Sequence, residues 1–304
     1  MQFLCTKQSI NYNVCFSIVV RKISINKKTS ETAIITASLR ALSNYEENEK
    51  MRSNDYFAEI FLPDERRTPL NDKNARAMIK KAIPKGLYEY VIARTKYFDN
   101  VFIEAAKNNI DQVVFLGAGY DSRSYRFSDL ITKTKIFEVD TKPTQEHKIS
   151  LLHKNKININ ERIEFVPVDF EKGNLFDLLN ECGYDKIKKT LFMWEGVTFY
   201  LSNNVVVQML KTIKENSSSG SRLCFDFQTI TNNDELIKTD LEDETIKFGI
   251  KNDQIEIFVS ENGYRIVEHV NARDMEKMFL ILENGEQFGE ILPIMNFLLI
   301  EHIE

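Results

Sequence analysis

The feature that most limits the possible folds is an alternation of short apolar runs with helical patterns, which begins at Gln112. Strands that alternate with helices form βαβ units, in which helices cover both faces of a parallel sheet. The last two runs are joined by one short helical piece and a glycine-containing loop, which predicts an antiparallel final strand. The predicted strands are residues 113–116, 135–140, 163–169, 190–195, 222–227, 264–270 and 293–303.

The part of the chain before the sheet has a helical pattern instead. Apolar residues recur at helical spacing after Thr29 or Ser30, either of which can cap the first turn. The predicted segments are a helix at 29–50, a loop at 51–70, a helix that ends near 82, and a helix at 86–109 with a break near Asp99. We therefore expect one doubly wound domain at 28–304, with a helical cap at about 28–110.

Residues 1–27 show no comparable pattern, and we expect them to be a poorly ordered extension. The apolar run VCFSIVV is far too short to span a bilayer, and the charged RKISINKK that follows it does not resemble a signal-peptide cleavage site. We expect no membrane association and a cytoplasmic location. The net charge is −5 and no basic block stands out, so nucleic acid is not an expected partner.

The four cysteines lie far apart, without a CxxC pair, which favours reduced thiols over a disulfide or zinc framework. His147 and His153 are six residues apart in one helical stretch, a poor spacing for a shared metal, so we expect solvated helix residues. Trp194 is expected to pack in the sheet. No metal cluster is expected.

Small and acidic residues follow the first four predicted strands. Gly117 and Gly119 form a turn after the first strand, and Asp140, Asp169 and Glu195 end the next three. Ligands of doubly wound sheets bind outside the carboxyl ends of the strands, where the strand order reverses. An acid about 20 positions beyond such glycines can accept two hydrogen bonds from ribose hydroxyls. The four strands therefore predict one site for a ligand rich in hydroxyl and amino donors.

Each of these residues also has an ordinary structural interpretation, because a GxG can be a plain turn and a strand-end acid can cap the next helix. Their agreement over four strands favours a site. A dinucleotide fingerprint would need a third glycine, which is absent, and Asp121 would repel a pyrophosphate. S-adenosylmethionine carries no phosphate and has a cationic sulfonium, which nearby acids favour.

Several motifs resemble the leucine carboxyl methyltransferase-like family of S-adenosylmethionine-dependent O-methyltransferases. The resemblance runs from Lys28 to the C-terminus and implies a Rossmann-like class I methyltransferase fold with an antiparallel seventh strand. The motifs are KTSETAIITASLRA, ARTKYFDNVF, VVFLGAGYDSRSYRF, IFEVD, FVPVDF and WEGVTFYL.

The resemblance also implies roles for individual residues. Arg94 would pair with a carboxylate of the cofactor or the substrate, and Tyr200 would face the substrate. A cofactor-contacting lysine of the phosphatase-modifying members has no counterpart, since only Arg40 is nearby, and no role is carried over to it. The remaining cofactor contacts would be Gly117, Ala118 and Gly119 under the methionine portion, Asp140 at the ribose, Asp169 and Phe170 at the adenine, and Glu195 at the methionine end.

The expected reaction is methyl transfer by direct displacement, which depends mostly on the alignment of donor and acceptor. A carboxylate acceptor, with a pKa of about 4, is ionised at neutral pH and needs no base, so it is favoured over a hydroxyl. The acceptor is expected to be a small molecule, with a protein C-terminal carboxylate as a second candidate. A nicotinamide-dependent oxidoreductase and a non-catalytic S-adenosylmethionine-binding protein remain alternatives.

Overall fold

A computed structural model describes residues 30–168, 175–230 and 247–303. Its centre is an eight-stranded sheet in the order β3-β2-β1-β4-β5-β8-β7, with the short β6 paired to β5 beside this path. The strands are β1 (Gln112–Leu116), β2 (Lys135–Asp140), β3 (Ile163–Pro167), β4 (Thr190–Trp194), β5 (Arg222–Ile230), β6 (Ile250–Lys251), β7 (Tyr264–Asn271) and β8 (Met295–His302).

The directions of the strands confirm the predicted doubly wound sheet with an antiparallel last strand. β1 pairs in parallel with β2 and β4, and the parallel pairing continues to β3 on one side and β5 on the other. β8 runs antiparallel to both of its neighbours, β5 and β7. The strand order reverses between β1 and β4, which is where ligands of such sheets bind.

Helices cover both faces of the sheet. The described helices are α1 (Glu31–Ser43), α2 (Asp64–Arg67), α3 (Lys73–Ala82), α4 (Leu87–Lys107), α5 (Arg123–Arg126), α6 (Lys142–Lys154), α7 (Leu175–Glu181), α8 (Asn203–Glu215), α9 (Ile255–Glu261) and α10 (Ala272–Phe279). Residues of α1, α4 and α10 pack in the core on one face, and residues of α7, α8 and α9 pack on the other. Ile136 and Phe137 of β2 show the alternation, since their side chains belong to opposite cores.

The predicted break of α4 near Asp99 is wrong, because the helix is continuous. The Asp99 carboxylate accepts hydrogen bonds from Arg123 and Arg126 instead of competing for the helix backbone. The run DERR, expected in a loop, forms the one-turn helix α2. Ser30 caps α1, since its side chain accepts a hydrogen bond from the Ala33 N–H.

The domain division at residue 27 stays a prediction, since residues 1–29 lie outside the described part of the chain. In the described ranges, no helix has the length and apolar character needed to cross a bilayer. Trp194 is buried in the sheet as expected. Cys182 and Cys224 are free thiols, whereas Cys5 and Cys15 are not among the described residues. The cytoplasmic location stays a prediction.

Candidate functional site

A cavity of about 240 Å³ opens beside the carboxyl ends of β1, β2 and β4, at the reversal of strand order. α1 and α4 of the helical cap supply its other walls. The predicted residues found in its wall are Arg94, Gly117, Ala118, Gly119, Asp140, Glu195 and Tyr200. Asp169 and Phe170, predicted at the adenine, lie outside the described residues.

The Gly-Ala-Gly turn is tied to the end of the neighbouring strand. The N–H groups of Gly117 and Ala118 both donate to the Val139 carbonyl at 2.9 Å. Gly117 has a φ of +74°, and a Cβ placed on it would lie 2.7 Å from Cγ2 of Val197. A side chain at Gly117 would therefore be strained and would collide with the loop after β4. The glycine keeps two strand-end loops in close contact at the cavity.

Asp140 holds the other side of this turn. Its Oδ2 accepts a hydrogen bond of 2.6 Å from the Gly119 N–H, and its Oδ1 accepts one of 2.6 Å from the Thr141 N–H. Burial raises the pKa of Asp140, and the two N–H donors oppose that rise. Oδ1 also accepts a hydrogen bond of 3.3 Å from the Thr141 hydroxyl, whereas Oδ2 keeps capacity for another donor. Asp140 can thus support the turn and accept a hydroxyl group of a ligand in the cavity.

Glu195, at the end of β4, lies between two arginines. Its Oε2 accepts a 2.7 Å hydrogen bond from Nη1 of Arg123, and its Oε1 lies 3.0 Å from Nε of Arg94. The Arg94 contact is an ion pair at hydrogen-bond distance but without hydrogen-bond geometry. Arg94 therefore pairs with a carboxylate of the protein, which was not foreseen from its motif.

A second protein carboxylate, that of Asp226, also holds Arg94. Asp226 lies fully buried in β5 and accepts hydrogen bonds from Nη1 of Arg94 at 3.1 Å, the Tyr90 hydroxyl at 2.7 Å and the Gly196 N–H at 2.7 Å. Burial raises the pKa of Asp226, against the attraction of Arg94. Burial disfavours the charge on Arg94, but Glu195 and Asp226 raise the pKa of its guanidinium above the ordinary value.

Asp226 was not predicted from the sequence. One signal was available: an aspartate flanked by Phe225 and Phe227 in a buried strand must have partners, because an unpaired buried charge is costly. The sequence could not say which cation it meets. The structure supplies Arg94 from a helix 132 residues earlier in the chain.

Arg123 and Arg126 extend the charged cluster away from the cavity. Arg123 Nε donates to Asp99 at 2.7 Å, and its Nη1 pairs with Asp121 as well as Glu195. Arg126 donates to both oxygens of Asp99, at 2.7 and 2.8 Å. Burial alone would raise the pKa of Asp121, but Arg123 holds that pKa below its usual value. The two arginines thus anchor acids next to the predicted cofactor turn.

Arg40, to which the family resemblance gave no role, also lies in the cavity wall. Its Nε donates to Asp55 at 2.8 Å, and its Nη2 donates to the Tyr120 carbonyl at 2.7 Å. Tyr120 directly follows the glycine turn, so Arg40 connects the turn to the helical cap. The expectation that His147 is a solvated helix residue is wrong, because its Nδ1 lies 2.6 Å from the Tyr120 hydroxyl.

Comparison with known proteins identifies the relationship. Residues 33–214 match the family model described as leucine carboxyl methyltransferase. The chain belongs to this family. The family predicted from the motifs is thereby confirmed.

Relatives by sequence agree with this assignment. A protein of Streptomyces coelicolor is 33% identical over 199 residues, and one of Bacillus subtilis is 28% identical over 198 residues. Both carry the name "Putative S-adenosyl-L-methionine-dependent methyltransferase". The alignments cover 63% and 62% of this chain but only 66% and 65% of the relatives' own lengths.

Solved structures agree on the fold. A structure described as a putative methyltransferase from Thermobifida fusca has a TM-score of 0.57 at 15% identity, covering 89% of this chain and 95% of its own. A DUF574 family protein from Streptomyces avermitilis also has a TM-score of 0.57, at 13% identity, covering 88% and 97%. The Rossmann-like architecture with an N-terminal helical region is thus shared.

The described residues of the cavity wall carry charges of both signs. They include three carboxylates, from Asp121, Asp140 and Glu195, and two guanidinium groups, from Arg40 and Arg94. Arg123 pairs with both Asp121 and Glu195, so Asp140 is the wall carboxylate without an arginine partner among the described residues. Within the described residues, no group of three or more His, Cys, Asp and Glu side chains is arranged to hold a metal ion.

Proposed function

We propose that this protein is an S-adenosylmethionine-dependent O-methyltransferase. The observation that carries the proposal is the cavity at the β1–β4 reversal, where the glycine turn, Asp140 and Glu195 share one wall. Family membership supports S-adenosylmethionine as the cofactor. The glycine turn lacks the third glycine of a dinucleotide fingerprint, which disfavours the oxidoreductase alternative.

The proposed cofactor-binding residues lie at the carboxyl ends of different strands. Asp140 would accept from the ribose hydroxyls, since its Oδ2 retains acceptor capacity next to the bond from Gly119. The turn at Gly117–Gly119 would pass under the methionine portion. Glu195, held between two arginines, would accept from the α-amino group. Asp169 and Phe170 remain the proposed adenine contacts.

Arg94 and Tyr200 are the proposed acceptor-side residues. Both lie in the cavity wall, and Arg94 stays cationic because Glu195 and Asp226 surround it. When bound, the cofactor supplies an activated methyl group, so the protein mainly has to align the acceptor oxygen with it. A guanidinium and a phenol suit the alignment of a carboxylate, which is ionised at neutral pH without a base.

The acceptor is proposed to be a small acidic molecule, with a protein C-terminal carboxylate as the second candidate. Incubation of the protein with methyl-labelled cofactor and a metabolite extract should transfer the label to extract components. Mild base should then release the label as methanol, because carboxyl methyl esters hydrolyse under conditions that leave methyl ethers intact. Label that resists base would refute the carboxylate acceptor. Cofactor binding without any transfer would favour the non-catalytic alternative.

Replacement of Tyr200 tests the acceptor side of the cavity. Tyr200→Phe should lower kcat/KM about tenfold, as expected for the loss of one hydrogen bond to a charged group, with little change in cofactor affinity. Tyr56→Phe is the matched control, since Tyr56 is 64% exposed. Steady-state kinetics and calorimetry measure the two quantities. An equal loss of cofactor affinity would place Tyr200 at the cofactor instead of the acceptor.

A further inference from the structure

A second cavity, of about 270 Å³, lies within the helical cap. It is lined by α1, α2, α3, the first residue of α4 and the segment around Leu70. Most of its wall is aliphatic, as in pockets that hold the apolar part of a small molecule. Representative wall residues are Ile35, Leu39, Leu42, Leu70, Ile79 and Leu87.

The two cavities lie against different sides of α1. Ile35, Leu39 and Leu42 line the second cavity, whereas Thr36 and Arg40 line the first. None of the described residues lines both. The second cavity is therefore a separate feature of the cap, and an inference about it does not depend on the proposed methyl transfer.

One cation lines the second cavity. The Arg66 side chain is only 14% exposed, and its Nε is buried without a hydrogen-bond partner among the described residues. Its ion pair with Glu31 is long, at 3.9 Å, and the Glu31 side chain is 39% exposed. Glu65, also in the wall, is an exposed residue whose charge is screened by water. Because Nε itself is closed off, a ligand would reach Arg66 through its terminal nitrogens, whose described ion pair with Glu31 is long and partly exposed.

Arg67, the next residue in the chain, has the arrangement that is usual for an arginine: it is paired with an acid and partly exposed. Arg67 pairs with Asp64 on the same helix and is 38% exposed. Arg66 and Arg67 therefore have the same chemistry and adjacent positions, but only Arg66 brings a partly unsatisfied guanidinium to an apolar cavity.

We propose that this cavity binds a small amphipathic carboxylate. The aliphatic wall would bury a short or medium-length hydrocarbon body, and Arg66 would donate to the carboxylate at one end. Burial of the body is favourable in proportion to its apolar area, and the charge-assisted hydrogen bond fixes its orientation. The volume of about 270 Å³ is enough for a short hydrocarbon chain.

Three eight-carbon probes test the proposal on the full chain: octanoate, octanol and octylammonium. The two ionic probes are kept below their micelle-forming concentrations, and octanol is kept below its solubility limit. Ligand-observed NMR titrations give the dissociation constants. Octanoate should bind about tenfold more tightly than octanol, as expected for one hydrogen bond between charged groups, and octylammonium should bind most weakly. Equal affinity for the three probes, or no binding of octanoate, would overturn the proposal.

Three variants locate the site. Arg66→Gln should reduce octanoate affinity to that of octanol, whereas Arg67→Gln should leave it unchanged. Ala82→Phe should abolish binding of both probes, because Ala82 lines the cavity and a phenyl ring would fill it. Affinity for S-adenosylmethionine should stay the same in the two arginine variants, so a failure here is distinct from a failure of the proposed function. Octanoate binding that survives Arg66→Gln at full strength would show that the carboxylate is held elsewhere.

Discussion

At the scale of single residues, the cavity depends on buried charges that are all held by partners. Arg94 forms ion pairs with Glu195 and Asp226, and Glu195 forms a second ion pair with Arg123. Burial of an unpaired charge is far more costly than burial of a paired one, so removal of any member affects its neighbours. Asp140 differs from the others, because its described hydrogen bonds come from the backbone N–H groups of Gly119 and Thr141 and from the Thr141 hydroxyl.

Asp140→Asn tests whether this carboxylate binds the ribose. The change keeps the shape of the side chain but turns one acceptor into a donor and removes the charge. S-adenosylmethionine affinity should fall about 10- to 100-fold, as expected for hydrogen bonds to a charged group. Calorimetry measures the affinity, with Asp129→Asn as the exposed control. Unchanged affinity in Asp140→Asn would contradict the assignment.

At the scale of elements, α4 joins the helical cap to the sheet. Tyr90 and Arg94 are four residues apart and lie on one side of the helix, where both reach Asp226 of β5. Asp99, further along the helix, accepts hydrogen bonds from Arg123 and Arg126 of α5. One continuous helix thus contacts both β5 and α5, and it also supplies Arg94 to the cavity wall.

Asp99→Asn should destabilise the fold, because it leaves two buried guanidinium groups facing a neutral amide. The expected loss in free energy of unfolding is about 3 kcal/mol, typical of breaking a buried ion pair from one side. Urea denaturation measures it. The exposed Asp129→Asn should change stability by no more than about 0.5 kcal/mol. If both variants were equally stable, the Asp99 contacts would contribute nothing to stability.

At the scale of the whole molecule, the stability should respond to pH through His147. Nδ1 of His147 lies 2.6 Å from the Tyr120 hydroxyl, which joins α6 to the glycine turn. Burial lowers the pKa of His147, so the fold favours the neutral ring. Burial raises the pKa of Tyr120, which keeps its hydroxyl protonated. The stability that comes from the neutral His147 ring is fully present above the unfolded pKa of about 6.5. It is lost as the pH falls below that value.

The His147→Gln variant should therefore have a lower Tm than the native protein, and this difference in Tm should become smaller as the pH is lowered. Thermal unfolding at about pH 7.5 and at about pH 5.5 covers the window on both sides of the unfolded pKa. His153→Gln, on the exposed side of the same helix, is the control and should show a much smaller change. A deficit that is the same at both pH values would show that His147 does not titrate differently in the folded protein.

The sequence by itself determined the layered fold and the position of the candidate site. Short apolar runs, helical spacing and turn glycines are local features, so they placed β2 at 135–140 and the glycine turn at 117–119 without knowledge of the neighbours. Because strands run in parallel, their ends reach one edge, and Asp140 and Glu195 could be grouped from their positions alone.

Only the tertiary structure decided which charges meet. The sequence assigned Arg94 to a ligand, but a residue's partners depend on elements distant in the chain, and Asp226 lies 132 positions away. The continuity of α4 through Asp99 likewise depends on Arg123 and Arg126, which satisfy a carboxylate that would otherwise compete for the helix backbone. The cavity beside Arg66 has no sequence signature at all, because a void arises from how helices pack and not from the pattern of any one of them.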